Sequence, residues 1–487
     1  MEYFKFKLRI CILSVFLLTV TFFLFSFEEL MENTDSISLE NIYDDEKEES
    51  IIPLVPFERI PDSSSIRKTI AKAKLLSPPE EAASTDTITE TDSKGNCFKI
   101  KTVYLKEKNM IAIVISPVHT EFTSFQKVPQ GTWILYRNYT TGKPECIKIY
   151  PRENPELYLS LYPAADDEKR SFINICLFNA YVKKDIPISI PFDSLYYLSL
   201  TELRNITKEM LPWNIFDPPV SYSSVEAASD IIRERLNTLV YLDDSAFDEF
   251  ENPVHIKNET PQTQSEILSA IRTDQRLKDI KGGINCSGFA KWVVDGIIRP
   301  VAGQGIFIKS LKSKTDVPDT YFTKPYEDRD IHFGLDWIRN LAAAALSLNV
   351  NRTVRALNSG IDVNIEPFAL VPPIKLSGTT SSYSFKGYEK NAGYQTNYLE
   401  AILYYLAVTE PGHFYLGAVS RDQGSPALRQ YHHIAAFFPY FDLLGNFHID
   451  VYESGEETSI RSFMKTNNDA FTALVRIRAP ETGVFNP

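Results

Sequence analysis

The sequence is that of an acidic chain that is too long for a single average domain. It has 487 residues, a formal net charge of -12, 44% hydrophobic residues and 12% aromatic residues. The hydrophobic content is sufficient for folded cores, while the acidic balance and the lack of a Lys/Arg-rich block argue against nucleic acid as a partner.

The N-terminus has the features of a targeting segment. Basic residues precede an apolar run from 10 to 27, which Glu28 and Glu29 close. The run is between a signal-peptide core and a membrane span in length, and no small-residue cleavage site follows it. We therefore predict that residues 1–27 are a signal anchor, or alternatively a cleaved signal peptide. The first case gives a single-pass membrane protein with its C-terminal domain periplasmic or on the cell surface, and the second a secreted protein.

Two segments of contrasting composition follow. Residues 28–96 are acidic and rich in Ser, Thr and Pro, which predicts a disordered tether with a short helix near 66–76. In residues 97–212, short β-branched and aromatic runs alternate with turns, which predicts an all-β sandwich or barrel without a catalytic constellation. Three cysteines of this region, Cys97, Cys146 and Cys176, leave two alternatives: two of them form a disulfide in an oxidising compartment, or all three are buried thiols.

Residues 213–487 combine helical patterns with a later group of strands, which predicts an α+β domain. Helices are expected at 225–239, 263–279, 336–348 and 396–408, and strands at 414–420, 433–441, 447–453 and 470–477.

Cys286 is the candidate nucleophile. Glycines lead into it, and apolar residues then recur at helical spacing from Phe289 to Ile297. A cysteine at the start of a helix has its thiolate stabilised by free backbone N–H groups and by the positive end of the helix dipole.

His433 is the candidate general base for this thiol. It opens an apolar strand in which Ala435 and Ala436 leave room beside a helix. On a regular strand the neighbouring His432 would point to the opposite side and be exposed. For the group that orients the imidazole, a carboxylate is suitable. Strand alternation ranks Glu453 first, Asp450 second and His448 third.

Five pieces of the sequence, in this order, resemble motifs of the NlpC-type, papain-like cell-wall cysteine peptidases. Asn285-Cys-Ser-Gly-Phe-Ala resembles Asp-Cys-Ser-Gly-Leu-Val, and Pro411-Gly-His-Phe-Tyr-Leu resembles Pro-Gly-Asp-Leu-Val-Phe. His433-Ile-Ala-Ala-Phe resembles His-Val-Gly-Ile-Tyr, and the strands at 451–455 and 473–478 follow as in that family. The chain departs from the family at Asn285 and His413, and the stretch 297–395 is an insertion relative to it.

The resemblance implies a papain-like α+β fold for the C-terminal region and peptidoglycan stem peptides as the substrate. The resulting hypothesis is an exported cysteine hydrolase of cell-envelope peptides that uses Cys286, His433 and Glu453. No cofactor is implied, and no metal, since no cluster has ligand spacing. Two alternatives stay open: a non-catalytic, wall-binding envelope protein, and a transglutaminase-like Cys-His-Asp enzyme that would use Asp450. The sequence does not indicate an oligomeric state.

Overall fold

The computed structural model divides the chain into two compact units. The first comprises Met1–Leu177 and Tyr181–Phe216, and the second comprises Phe178–Ala180 and Asp217–Pro487. The residues that the structure describes are 54–84, 86–118, 128–165, 167–178, 180–217, 222–272, 279–315, 330–365, 374–376, 379–381, 388–389, 392–424, 427–481 and 483–487.

An eight-stranded antiparallel sheet forms the centre of the first unit. Its strands are hydrogen-bonded in chain order, each to the next, which is the pattern of a meander. They are β1 (Ile88–Thr91), β2 (Cys97–Leu105), β3 (Met110–Val118), β4 (Thr132–Asn138), β5 (Pro144–Tyr150), β6 (Leu157–Pro163), β7 (Ser171–Leu177) and β8 (Ala180–Ile188).

Short helices accompany this sheet. They are α1 (Ser64–Ile70), which continues as a π-helical turn at Ala71–Leu75, α2 (Pro79–Ser84) and α3 (Leu200–Thr207), with 3₁₀ turns at Phe57–Arg59, Lys106–Lys108, Phe192–Tyr196 and Trp213–Phe216. The buried Arg67 of α1 donates to the carbonyl oxygens of Tyr196 at 2.8 Å and Leu198 at 2.9 Å, and it pairs with Asp62. Residues 54–96, which the sequence analysis assigned to a tether, therefore contain helices, a strand and a buried ion pair.

The three cysteines of the first unit are not joined by a disulfide. Cys146 and Cys176 lie buried in an apolar cluster on one face of the sheet, while Cys97 is half-buried at the start of β2. Of the two alternatives predicted for these cysteines, the structure has the one without a disulfide.

The second unit contains a seven-stranded antiparallel sheet with the order β15-β16-β21-β17-β18-β19-β20. Its strands are β15 (Tyr388–Glu389), β16 (Gly393–Gln395), β17 (His413–Gln423), β18 (Leu428–Phe441), β19 (Phe447–Glu453), β20 (Glu456–Thr458) and β21 (Phe471–Arg478). Three smaller pairings occur in the same unit: β9 (Leu239–Tyr241) with β12 (Gly282–Ile284), β10 (Ser245–Phe247) with β11 (Pro253–His255), and β13 (Ile374–Leu376) with β14 (Thr379–Ser381).

Helices cover this sheet and form a common core with it. They are α4 (Ser223–Arg235), α5 (Gln264–Ser269), α6 (Cys286–Ala302), α7 (Ile308–Leu311), α8 (Phe333–Asn349), α9 (Leu399–Thr409) and α10 (Ile460–Thr466), with 3₁₀ turns at Leu236–Thr238 and Thr396–Tyr398. Helices α6 and α8 are the central ones, because most of their apolar residues are buried in one cluster with residues of β17, β18 and β21. Helix α8 lies within 297–395, so part of the stretch regarded as an insertion belongs to the core.

The fold class predicted from the sequence was wrong. The structure is mostly β, with two large antiparallel sheets and several helices, rather than a sandwich or barrel followed by a papain-like α+β domain. In the first unit each strand pairs with its neighbour in the chain, and β3 is buried at all but its last position. A single sheet that is covered on both faces therefore explains the buried strands for which the sequence predicted a sandwich or barrel. No helix among the described residues has the length and apolarity to cross a membrane, and the predicted membrane segment 1–27 lies outside them.

Candidate active site

Cys286 is the first residue of helix α6, and hydrogen bonds hold the backbone that precedes it. The Asn285 side chain caps the helix by accepting the Gly288 N–H at 2.9 Å. The Asn285 N–H donates to the Ser245 carbonyl oxygen at 3.0 Å. Two residues before Asn285, the buried Gln262 amide forms hydrogen bonds with both the N–H and the C=O of Gly283, at 2.8 and 2.9 Å. These bonds hold the thiol at a fixed place on the helix terminus.

Gly288 is required by the packing of this turn. A Cβ atom at this position would lie 2.1 Å from the Ser245 carbonyl oxygen, which is backbone and cannot move aside. The glycine therefore lets the first turn of α6 approach β10 closely. On the other side, the Trp337 indole of α8 donates to the Ser287 carbonyl oxygen at 2.9 Å. The close packing therefore explains the glycine of the Cys-Ser-Gly sequence.

His433 reaches the thiol from strand β18, at an irregularity in the sheet. Val419 pairs with His433 and the next residue, Ser420, pairs with Tyr431, so His432 is an extra residue in β18. Such a β-bulge bends a strand and redirects its side chains. The two imidazole rings are tilted by 34° with centroids 6.4 Å apart, and His432 is half-buried. The expectation that His432 points away and is exposed was wrong, because it assumed an unbroken strand.

Glu453 is the carboxylate that orients His433. Its Oε2 lies 2.6 Å from His433 Nε2, which leaves Nδ1 of the ring for the Cys286 sulfur. The last pair between strands β18 and β19 is Ala436 with Tyr452, so Glu453 lies one residue beyond the end of this ladder and His433 lies three residues beyond it. The structure therefore brings Cys286, His433 and Glu453 together.

The other candidates for the third position lie elsewhere. Asp450 accepts a hydrogen bond from the Ser229 hydroxyl at 2.6 Å and pairs with Arg233 at 3.0 Å. His448 lies 3.0 Å from the Asp442 carboxylate. His413, at the position where the resembled family has Asp, contacts the Glu410 carbonyl oxygen at 3.0 Å through its Nδ1. Each of these side chains has a partner away from the thiol.

The electrostatics favour a thiolate–imidazolium pair. Burial alone would raise the pKa of Cys286, but hydrogen bonds from His433, the Ile434 N–H and the Ser287 hydroxyl, together with the charge of His433, lower it overall. Burial alone would lower the pKa of His433, but the hydrogen bonds and charges of Cys286 and Glu453 raise it to about 9. The lowered pKa of Cys286 favours the thiolate, and the raised pKa of His433 favours the imidazolium. Each charged group stabilises the other.

Backbone donors lie beside the sulfur. The N-cap residue accepts the N–H groups of Gly288 and Phe289, through its side chain and its carbonyl oxygen. For the N–H groups of Cys286 and Ser287, the described part of the chain supplies no acceptor. Free N–H groups at a helix start can stabilise a developing oxyanion.

Sequence reasoning missed Tyr241 and the donors that the thiolate receives from Ile434 and Ser287. Tyr241 is 49% exposed and pairs with Ile284 in the parallel β9–β12 ladder. Burial first, and then the charges of Asp243 and Cys286, raise the pKa of Tyr241, so its hydroxyl stays protonated near the thiolate. Tyr241 lies near Cys286 only because β9 pairs with β12. Since β9 has three residues, it is too short to give a periodic pattern in the sequence.

Comparisons with known proteins identify one part of the chain. Residues 56–215 match the family described as Domain of unknown function (DUF8515). The match lies in the first unit and leaves Cys286, His433 and Glu453 outside it. No curated protein and no solved structure matches the chain. Among the described residues, no group of three His, Cys, Asp or Glu side chains is arranged to hold a metal ion.

The shifted pKa values predict an unusual pH dependence of thiol alkylation. The pKa of Cys286 is lowered, so at neutral pH a larger fraction of this group is thiolate than of an ordinary thiol, which loses about tenfold in thiolate per pH unit below its pKa. We expect the rate of Cys286 alkylation by iodoacetamide to rise by clearly less than about tenfold per pH unit between pH 6 and 8. Mass spectrometry of the labelled peptide measures this rate, and a Cys286→Ala protein controls for labelling of other cysteines. A rate that rises tenfold per pH unit would contradict the ion pair.

Proposed function

We propose that this protein is a cysteine hydrolase that cleaves amide bonds with Cys286 as nucleophile, His433 as acid and base, and Glu453 as the orienting group. The observation that carries the proposal is the position of His433 between the two other groups: its ring interacts with the Cys286 sulfur, and its Nε2 lies 2.6 Å from Glu453 Oε2. A nucleophile, a base in contact with it and a third group that holds the base are the parts that covalent amide hydrolysis needs.

The proposed reaction has two stages. The Cys286 thiolate attacks the amide carbonyl carbon, and the resulting oxyanion accepts hydrogen bonds from the N–H groups at the start of α6. The His433 imidazolium gives its proton to the amide nitrogen, the C–N bond breaks, and an amine leaves. Neutral His433 then takes a proton from water, whose oxygen attacks the thioester. The tetrahedral intermediate then collapses, the C–S bond breaks and the carboxylic acid leaves. Because His433 keeps the proton that it took from water, the thiolate–imidazolium pair is restored.

The class of substrate is inferred from the motifs. The order of the Cys-Ser-Gly, Pro-Gly and His-Ile-Ala-Ala pieces resembles that of the NlpC-type cell-wall peptidases. We therefore propose peptides of the cell envelope, and peptidoglycan stem peptides first, as substrates. An exported location is consistent with this proposal, because such substrates lie outside the cytoplasm.

Mass analysis of products tests the proposed function. Soluble peptidoglycan fragments and synthetic stem peptides are incubated with the full chain and with a Cys286→Ala variant. We expect the parent protein to release products whose masses identify a cleaved amide bond, and the variant to release none. A variant that digests these substrates as fast as the parent would remove the proposal, and so would a parent protein that cleaves none of them.

Glu453 and Asp450 can be distinguished by a matched pair of substitutions. Glu453→Gln is expected to lower the rate of hydrolysis by about 100-fold, because an amide holds the imidazole less firmly and does not stabilise its charge. Asp450→Asn is expected to change the rate less than about threefold, because Asp450 contacts Arg233 and Ser229 instead. Rates are measured with the substrate identified by product analysis. The opposite ranking would favour a Cys-His-Asp enzyme.

A further inference from the structure

A cavity of about 250 Å³ lies in the second unit and is lined by Phe247, Glu251, Lys281, Trp292 and Arg299. Trp292 and Arg299 belong to helix α6, and Lys281 immediately precedes strand β12. None of the five side chains contributes to the contacts of Cys286, His433 and Glu453 described above. The volume is below that of a typical drug-sized ligand site, so it suits a compact molecule.

The walls of this cavity are fixed. Phe247 and Trp292 are buried and form its apolar part. Gly282 packs against Phe247 so closely that a Cβ atom at this position would lie 3.0 Å from the Phe247 ring and 2.7 Å from Pro253 Cβ. The Lys281 N–H donates to the Thr238 carbonyl oxygen at 2.9 Å, which anchors the backbone that carries the lysine. A preformed apolar wall with anchored polar groups is typical of small-molecule sites.

The polar groups of the cavity have spare hydrogen-bond donors. Arg299 Nη1 bonds Glu251 at 2.9 Å and Arg299 Nη2 lies 3.7 Å from Asp295, whereas the buried Nε has no acceptor among the described residues. A guanidinium has five N–H donors, so this pairing leaves some of them unused. Lys281 is exposed, and the described residues include no carboxylate paired with it. Two cations and one carboxylate thus line a cavity in a protein whose formal net charge is -12.

We propose that this cavity binds a small carboxylate that carries an apolar group. The carboxylate would accept hydrogen bonds from Lys281 and Arg299, and the apolar group would lie against Phe247 and Trp292. Arginine and lysine are the usual partners of carboxylates, and charge-assisted bonds are the stronger class of hydrogen bond. The same chemistry occurs in a free organic acid and at the C-terminus of a short peptide, so both sources are included in the test.

Calorimetric titration of the full-length Cys286→Ala protein tests this site without turnover. The probes are benzoate, N-acetylleucine and the dipeptide Ala-Leu, each compared with its neutral amide. We expect at least one carboxylate to bind with a Kd of about 1 mM, and its amide to bind at least about fivefold more weakly. Preference for benzoate and N-acetylleucine would identify a free acid as the ligand, and preference for Ala-Leu a peptide C-terminus. Binding of none of the acids, or equal binding of acid and amide, would overturn the proposal.

Two substitutions locate the binding event. Lys281→Gln is expected to weaken carboxylate binding about five- to tenfold, because it removes one charged donor while the exposed position preserves the fold. Arg299→Lys keeps the positive charge but loses the planar fork, and should weaken binding as well. Lys309→Gln is the matched control, since Lys309 is an exposed lysine of the same unit that does not line the cavity. Unchanged affinity in both cavity variants would exclude this site.

Discussion

Replacing His433 with alanine is expected to slow amide hydrolysis by about 10³- to 10⁴-fold at neutral pH. The substitution removes the hydrogen bond and the charge that lower the pKa of Cys286, so that burial is opposed only by the Ile434 and Ser287 donors. It also removes the proton donor for the leaving amine. The rate should be measured with the substrate found by product analysis, alongside the rate of Cys286 alkylation at pH 6.

His432→Ala is the control that the chain itself offers. His432 is adjacent in sequence and half-buried in the same bulge, while the hydrogen bond to Glu453 is made by His433. We expect its loss to cost less than about tenfold in rate, through a small shift of the bulge. Equal effects of the two substitutions would mean that the bulge, rather than a base at position 433, is what the reaction requires. Full activity of His433→Ala would exclude the proposed mechanism.

Removing Asp295 from helix α6 is expected to be the most destabilising of the substitutions considered. Asp295 and Lys291 form an ion pair with 2.5 Å between Oδ2 and Nζ, and each side chain is 1% exposed. Burial raises the pKa of Asp295 and lowers the pKa of Lys291, so the pair depends on mutual neutralisation. Asp295 also accepts the Ile306 N–H at 2.8 Å. Asp295→Ala should lower the free energy of unfolding by about 3–5 kcal/mol, because it leaves a buried ammonium without a counter-charge.

Urea denaturation followed by circular dichroism and tryptophan fluorescence measures this loss. A double variant, Lys291→Met with Asp295→Leu, should recover much of the stability, since it removes both charges and keeps apolar volume. Glu456→Ala provides the surface control. Its partner Arg272 is 2.8 Å away, but both side chains are more than half exposed, and we expect a change below about 1 kcal/mol. A loss below about 1 kcal/mol for Asp295→Ala would contradict the dependence of α6 on this pair.

The sequence contained enough information to select the three residues that meet at the site, but not the reason that they meet. Strand alternation placed Glu453 on the buried face of β19, whereas Val451 and Tyr452 are both fully buried, so alternation does not separate core from solvent on this strand. Glu453 meets His433 beyond the last pair of β18 with β19, a position that depends on where the ladder ends. The bulge at His432 was also unpredictable, because an extra residue leaves the local pattern of residue types unchanged.

The organisation of the first unit was harder to predict for a similar reason. Antiparallel strands in a sandwich and in a meander have the same length and composition, and only the partner of each strand differs. A short helix was expected near 66–76, where α1 and its π-helical turn lie, but the burial of Arg67 was not. In the sequence SSIRKTI this arginine has the character of a surface residue, and only the fold supplies its carbonyl acceptors and Asp62. Long-range pairing and buried charge are properties of the folded chain that local sequence patterns do not contain.

The hydrogen bond between Trp337 and the Ser287 carbonyl oxygen has a practical consequence for protein engineering. Trp337 lies in the part of the chain that looks dispensable when the sequence is compared with the motifs of compact cell-wall peptidases. A shortened version made by excising 297–395 would lose the indole that bonds the carbonyl group of the residue after Cys286. Any trimmed derivative should therefore keep α8, or supply another donor to that carbonyl group.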